Sequence, residues 1–299
     1  MDLTQISELT EAQAREYLES IIWPNGAECP HCGSKNVTKL AGESHREGLH
    51  QCNDCRNPFT VTVGSVMEDS HIPLKKWLMA FHLMSSSKKG ISALQLKRDL
   101  GLGSYRTALF LTHRVRLAMS TDPVMRKKLE GKVEVDETYV GGKPRKGDEK
   151  EHKKGRGTKK APVLVMVERE GNTVAKPIKR LTGKELKTEI KTNVDVSSMV
   201  ITDDFKSYRG LKKEFEGGHA IIRHSEGEYS RDGVNTNTAE AFFALLKRGH
   251  YGVFHHLSKH HLFRYCDEFA FRWNHRKISD SERRDIAISQ AVGKRLMYS

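Results

Sequence analysis

The chain has 299 residues, enough for two or three domains with a sizeable core. Lysine and arginine outnumber aspartate and glutamate 51 to 38, a formal charge of +13 that makes a polyanion the expected partner. The longest apolar stretch, Ala161 to Val167, is far too short to span a bilayer, and Met1-Asp2-Leu3-Thr4 begins no basic or apolar leader. The expected setting is the cytoplasm, on the nucleoid, with no membrane partner.

Four of the five cysteines form two pairs, Cys29-Pro-His-Cys32 and Cys52-Asn-Asp-Cys55, with nineteen residues between Cys32 and Cys52. Two C-x-x-C knuckles on facing turns supply the four soft ligands of tetrahedral zinc. A disulfide framework requires an oxidising compartment, and a redox C-x-x-C requires only one pair. Cys29, Cys32, Cys52 and Cys55 are thus expected to hold structural Zn²⁺, with His31 and His50 as bystanders and short strands over 37–63 forming a zinc ribbon.

From Pro73 to Ser120 the pattern is helical, with Leu74, Trp77, Leu78, Phe81 and His82 three and four residues apart. Ser92 is an expected N-cap, and the turn Gly101-Leu102-Gly103 separates its helix from one running from about Ser104 through Met119. Two helices joined by a tight glycine turn match a helix-turn-helix, with Tyr105, Arg106 and Thr107 leading the second helix into the major groove. The alternative is an ordinary helical hairpin whose Arg106, Arg114 and Arg116 are only solvated.

Beyond Gly131 the pattern turns to strands: Lys132 to Val140, Ala161 to Arg169 and Val174 to Leu181, with turns at Gly141-Gly142 and Gly171-Asn172. A helix over Gly183 to Asn193 follows, then strand Met199 to Thr202, a short helix near Leu211, strand His219 to Arg223 and a long helix bearing Glu240. That order predicts an α/β ribonuclease-H-like domain, a mixed sheet with helices on both faces, in which the ends of the first and fourth strands lie side by side.

Asp136 closes the alternating run Val133-Glu134-Val135 and Asp203 closes Met199-Val200-Ile201-Thr202, so the order predicts that they meet. Converging carboxylates bridge two divalent cations, and Mg²⁺ or Mn²⁺ suits such oxygen ligands. Glu240 is the expected third ligand, and Lys247, two helical turns on, projects from the same side toward a phosphate. Glu240 has a rival reading as the N3 acid of a cap opened by Asn237. Glu137 and Asp204 should point away across the pleat, whereas Glu134 shares the face of Asp136 as a neighbour in the site or as a surface charge.

The paired cysteines, Lys89-Gly90-Ile91-Ser92, the run Val135-Asp136-Glu137-Thr138-Tyr139-Val140-Gly141-Gly142-Lys143, Thr202-Asp203, and Asn237-Thr238-Ala239-Glu240 with Lys247 resemble bacterial insertion-sequence transposases of the DDE type, in the group with an N-terminal zinc ribbon. The likeness runs from about residue 15 to 278 and takes in Arg272-Trp273-Asn274. It implies a ribonuclease-H-like catalytic domain, dependence on divalent metal, and Asp136, Asp203 and Glu240 as the triad. Some members carry asparagine at the third position; this chain keeps glutamate.

Lys143 to Lys160 holds nine basic residues against three acids and no apolar periodicity. It reads as a loop beside the first catalytic acid, either solvated or gripping DNA through Lys143, Arg145 and Lys146. The reading is a transposase that acts on double-stranded DNA as a homo-oligomer, with a helix and zinc ribbon over 1–70, a helix-turn-helix region over 71–125 and the catalytic domain over 126–299. Arg106 and Arg114 are its expected DNA contacts. A regulator without catalysis and a metal-dependent nuclease that does not join strands are the competing classes.

Overall fold

A computed structural model describes residues 1–122, 125–142, 158–223, 226–228, 230 and 233–296. Lys143, Arg145, Lys146 and most of the basic run lie outside these residues. The chain begins with helices α1 (Leu3–Glu8) and α2 (Glu11–Ile22), strands β1 (Val37–Lys39), β2 (His50–Cys52) and β3 (Pro58–Phe59), and helices α3 (Leu74–Ser86), α4 (Ala93–Asp99) and α5 (Tyr105–Met119). Strands β4 (Lys132–Val140), β5 (Ala161–Glu168) and β6 (Thr173–Pro177), helix α6 (Gly183–Asn193) and strand β7 (Met199–Asp203) follow. Two 3-10 turns at Lys206–Tyr208 and Leu211–Lys213 lead to strand β8 (His219–Ile222). Helix α7 (Asn237–Gly249) runs on into a π-helical turn at His250–Phe254, and α8 (Leu262–Asn274) and α9 (Asp280–Ser289) complete the order.

Side chains one position outside the helix start six of these helices. Asp2, Thr10, Ser92, Ser104, Thr182 and Ser279 each accept the third backbone N–H of the helix that follows, satisfying a donor with no partner inside the helix. Helix α3 is capped from a distance, the Glu11 carboxylate accepting the N–H groups of Leu74 and Lys75.

The chain divides into two compact units, Met1 to Thr121 joined by the residues from Lys277 on, and Asp122 to Arg276. This corrects the expected boundaries in two ways: the ribbon and the helices after it share one unit, and the C-terminal segment belongs with them. Helix α9 packs on α2 and α3, with Ala287 and Ile288 fully buried. Arg284 is also fully buried; it donates to the Met1 carbonyl and the Tyr17 hydroxyl and pairs with Asp285 at 2.8 Å. Backbone bonds from Val66 to Ala291 (3.1 Å) and from Gly293 to Gly64 (2.7 Å) fix the strand-like exit.

A second correction concerns α5. Every side chain from Leu111 through Arg116 is buried, so the middle of this helix is enclosed on all sides and only its first turn, with Tyr105 and Arg106, is exposed. Arg114 is therefore no DNA contact in this structure. It lies over the Phe110 ring, 4.2 Å from the centroid, and donates to the Glu68 carbonyl at 2.7 Å. Burial without such partners would cost a charged group several kcal/mol.

In the second unit the five strands are ordered β6-β5-β4-β7-β8. Strands β4, β5 and β6 form an antiparallel meander, while β7 lies parallel to β4 and β8 parallel to β7. One face packs Val163, Val165 and Val167 against α7 and α8. The other packs Val133, Val135 and Leu164 against α6 and the 3-10 turns. The alternation of β4 serves both layers at once. Gly217 admits the chain to β8: a Cβ there would sit 2.5 Å from the Ser198 carbonyl carbon.

Deleting the residues from Lys277 on should strip hydrogen-exchange protection from α2 and α3 and leave that of β4 and β5 unchanged. Retained protection in α3 would contradict the packing described.

Candidate active site and metal centre

The thiolates of Cys29, Cys32, Cys52 and Cys55 all lie within 4.8 Å of one another, with Cys29 to Cys55 and Cys32 to Cys52 both at 3.6 Å. Ligands about 2.3 Å from a tetrahedral zinc are separated by about 3.8 Å, so the four sulfurs fit that ion. The backbone N–H of Cys55, 3.5 Å from the Cys52 sulfur, is the main influence drawing that thiol down to about 7, toward the form that binds metal. His50 is a packing residue: its ring stacks on Phe59 at 5.6 Å and meets Trp23 edge-on.

In the second unit the register of β4 and β7 ends at Glu134 opposite Ile201, and the same offset carries Asp136 level with Asp203. Residues level on parallel neighbours project from one face, and Asp136 stands opposite Val165, on the face that α7 covers. Helix α7 lays Glu240 in its first turn over that face. Burial first, and then the charge of Glu137, push the Asp136 carboxyl from its ordinary 3.8 up to about 7. The charges of Asp203 and Glu240 add to the rise, and the bond from the Glu137 N–H, at 2.7 Å, opposes it. Asp203 is half-buried and accepts the Phe205 N–H at 3.1 Å.

Of the three expected acids, Asp203 and Glu240 thus both act on Asp136. Their oxygens do not all come within 4.8 Å, since among the described residues only the four cysteines form so tight a group. Glu137 faces the opposite layer and accepts the Tyr208 hydroxyl at 2.7 Å. Burial, followed by the charge of Glu137, raises Tyr208 well above its ordinary value. Asp204 is exposed. Lys247 is exposed on α7, its Nζ 5.8 Å from the Phe243 ring centroid.

Glu134 is neither a surface charge nor a loose neighbour. It is fully buried, pairs with Arg169 at 2.7 Å, and accepts the backbone N–H groups of Thr238 and Ala239 at 2.8 and 3.0 Å. It is the cap of α7, where Thr236 offers no side-chain bond, and this displaces the reading of Glu240 as the partner of an Asn237 cap. The alternation placed Glu134 on the face of Asp136, but nothing nearby in sequence announced Arg169. Arg272-Trp273-Asn274 also serves packing: Asn274 clasps the Thr173 backbone at 2.7 and 3.1 Å, and Trp273 meets Phe242 edge-on.

Residues 128–274 match the ISXO2-like transposase domain, and residues 9–57 match a transposase zinc-ribbon domain. The chain is 30% identical over 278 residues, 88% of its length and 91% of the relative's, to "Uncharacterized protein in transposable element ISH50" of Halobacterium salinarum. It belongs to the ISXO2-like transposase family. The five-stranded sheet lies in this transposase's family domain, and the four cysteines belong to its zinc ribbon. Membership carries DNA-cleaving activity in general terms. Among the described residues no helix is long and apolar enough to cross a membrane.

The Asp136 shift has a definite sign. Because the folded carboxyl holds its proton more tightly than an unfolded one, stability falls as pH rises from about 4 to about 7, by on the order of 4 kcal/mol. In magnesium-free buffer at pH 8, Asp136→Asn should therefore unfold at a higher temperature than the parent, and the gap should close near pH 4. Added Mg²⁺ should raise the midpoint of the parent alone. An equal midpoint for both proteins at pH 8 would contradict this electrostatic account.

Proposed function

We propose that this transposase binds the ends of its own element, hydrolyses the phosphodiester there, and uses the freed 3′ hydroxyl to attack target DNA. The strand order and the two helical layers support a ribonuclease-H-like reading of the second unit. The observation that carries the proposal is the placement of buried Asp136, level with Asp203 by the register of β4 and β7 and on the face where α7 bears Glu240, with the charges of both acting on it; a regulator without catalysis has no use for such a grouping. Carboxylates of that kind fit Mg²⁺ or Mn²⁺, and a bound pair of these ions supplies an activated oxygen and stabilises the leaving one.

The residues of the chain then have separable tasks. Asp136 and Asp203 would hold the ions from the sheet and Glu240 from the helix, and Lys247 would meet a phosphate oxygen of the bound strand. In the first step water forms a new bond to phosphorus as the bond to the 3′ oxygen breaks, leaving a 3′ hydroxyl. In the second that hydroxyl gives up its proton, bonds a target phosphorus and displaces a target 3′ oxygen. One set of carboxylates serves both steps.

Recognition falls to the first unit. Helices α4 and α5 with their Gly101–Gly103 turn form the proposed helix-turn-helix, and the exposure of Tyr105 and Arg106 matches the way such helices present their first turn to base edges. Lys143, Arg145 and Lys146 are proposed to hold phosphates near the cut. Since an element has two ends, more than one copy works on DNA.

Asp136→Asn, Asp203→Asn and Glu240→Gln should each abolish cleavage and joining of element-end DNA with Mg²⁺ and leave DNA affinity within a few-fold of the parent. Full activity in any one of them removes that residue from the triad. Cleavage without joined product in the parent would reduce the enzyme to a nuclease, and binding without cleavage would leave a regulator.

Arg106→Ala should lose about 1–3 kcal/mol of discrimination at one base position. Replacing six basic residues within 143–160 should instead weaken all sequences alike and flatten the slope of log K on log salt by about 0.9 per lost phosphate contact. A changed sequence preference in the second variant, or an unchanged one in the first, would mean that readout lies elsewhere.

A further inference from the structure

Glu134 presents an unusual expense for a strand residue. Its carboxylate is fully buried, and both oxygens are saturated: Oε1 accepts Arg169 Nε at 2.7 Å and the Thr238 hydroxyl at 3.0 Å, while Oε2 accepts the N–H groups of Thr238 and Ala239 at 2.8 and 3.0 Å. Arg169 continues the network, donating from Nη1 to the Gly233 carbonyl at 2.5 Å and from Nη2 to that of Asn235 at 2.9 Å. Its own N–H is bonded to the Lys132 carbonyl at 3.0 Å, which anchors it to the beginning of β4.

Capping alone does not account for this arrangement. Six helices of the chain are started by a serine, threonine or aspartate at the N-cap, and such a side chain stabilises a helix without fixing its distance from anything else. Helix α7 is fastened instead by the strand that bears Asp136. The fastening lies two residues before Asp136 on the same face of β4, and its bonds reach Ala239, the residue before Glu240. A helix free to slide by 1 Å would spoil a shared ligand shell, since such sites tolerate very little misplacement.

We propose that Glu134, held by Arg169, is the positioning residue of the active site, setting the height of Glu240 above Asp136 and so the geometry in which the two share metal. It touches neither metal nor DNA. The role rests on the reading of Glu240 as the third carboxylate. Two features favour positioning over stability alone: the acid comes from the catalytic strand, and its negative charge at a helix N-terminus is neutralised locally by Arg169 and the helix dipole.

The test uses the full chain with zinc bound. Glu134→Gln keeps size and removes the charge and part of the accepting capacity. It should bind element-end DNA like the parent while its Mg²⁺ requirement for cleavage rises by about 10- to 100-fold, the effect usual for outer partners of metal ligands. Mn²⁺, with its less strict demands, should restore part of the rate. Arg169→Lys, which retains a positive charge but not the fork to Gly233 and Asn235, should shift the metal requirement in the same direction and serves as the readout if Glu134→Gln does not fold. A parent-like Mg²⁺ requirement in the folded variant overturns the proposal. Glu240→Gln, run alongside, separates the two claims: if it is fully active the triad reading falls and the positioning role with it, whereas an inactive Glu240→Gln beside a parent-like Glu134→Gln sinks the positioning role alone.

Discussion

Two strands that run parallel and adjacent each carry an aspartate, Asp136 in the middle of β4 and Asp203 as the last residue of β7. The ladder of β4 with β7 ends at Glu134 opposite Ile201, and the same offset of 67 positions carries Asp136 level with Asp203. Everything else in the second unit serves that pairing. The meander through β5 and β6 broadens the sheet so that α7 and α8 have a surface to cover, and α6 with the 3-10 turns seals the opposite face. A one-residue slip in the ladder would send one aspartate into the other layer.

Bringing acids together in a half-buried place opposes folding, and the chain compensates outside the cluster rather than within it. Glu137, the nearest further acid, is turned to the far layer and engaged by Tyr208. Glu134 is neutralised by Arg169 and by the first N–H groups of α7. Asp136 by contrast is buried with the charges of Glu137, Asp203 and Glu240 acting on it, and a site with that much negative charge is prepared for a dication. The zinc ribbon uses metal differently, since four thiolates about one sulfur diameter apart close the shell and leave no position for chemistry.

Much of this was legible in the sequence where the signal was local. The alternation from Lys132 to Val140 bounds β4 as the structure has it, the helix expected over Gly183 to Asn193 is α6, and Ser92 and Ser104 begin their helices. Legibility failed where a residue's role is set by partners distant in the chain. Arg114 reads as an exposed basic residue on an amphipathic helix, but α5 is enclosed by α3, α4 and α9, the last more than 160 positions on. Helix α9 reads as part of the catalytic domain over 126–299, because nothing local in Asp280–Ser289 says that it packs on α2 and α3. Glu134 could be placed on its face and no further, because Arg169 lies 35 residues away and Thr238 lies 104 away.

The central claim is that Asp136, Asp203 and Glu240 form one metal site, and anomalous scattering from crystals grown with Mn²⁺ tests it most directly. The account predicts two peaks about 4 Å apart beside the middle of β4 and the end of β7, held by Asp136, Asp203 and Glu240. An empty map at these carboxylates, or peaks centred on Glu137 or Asp204, would contradict it.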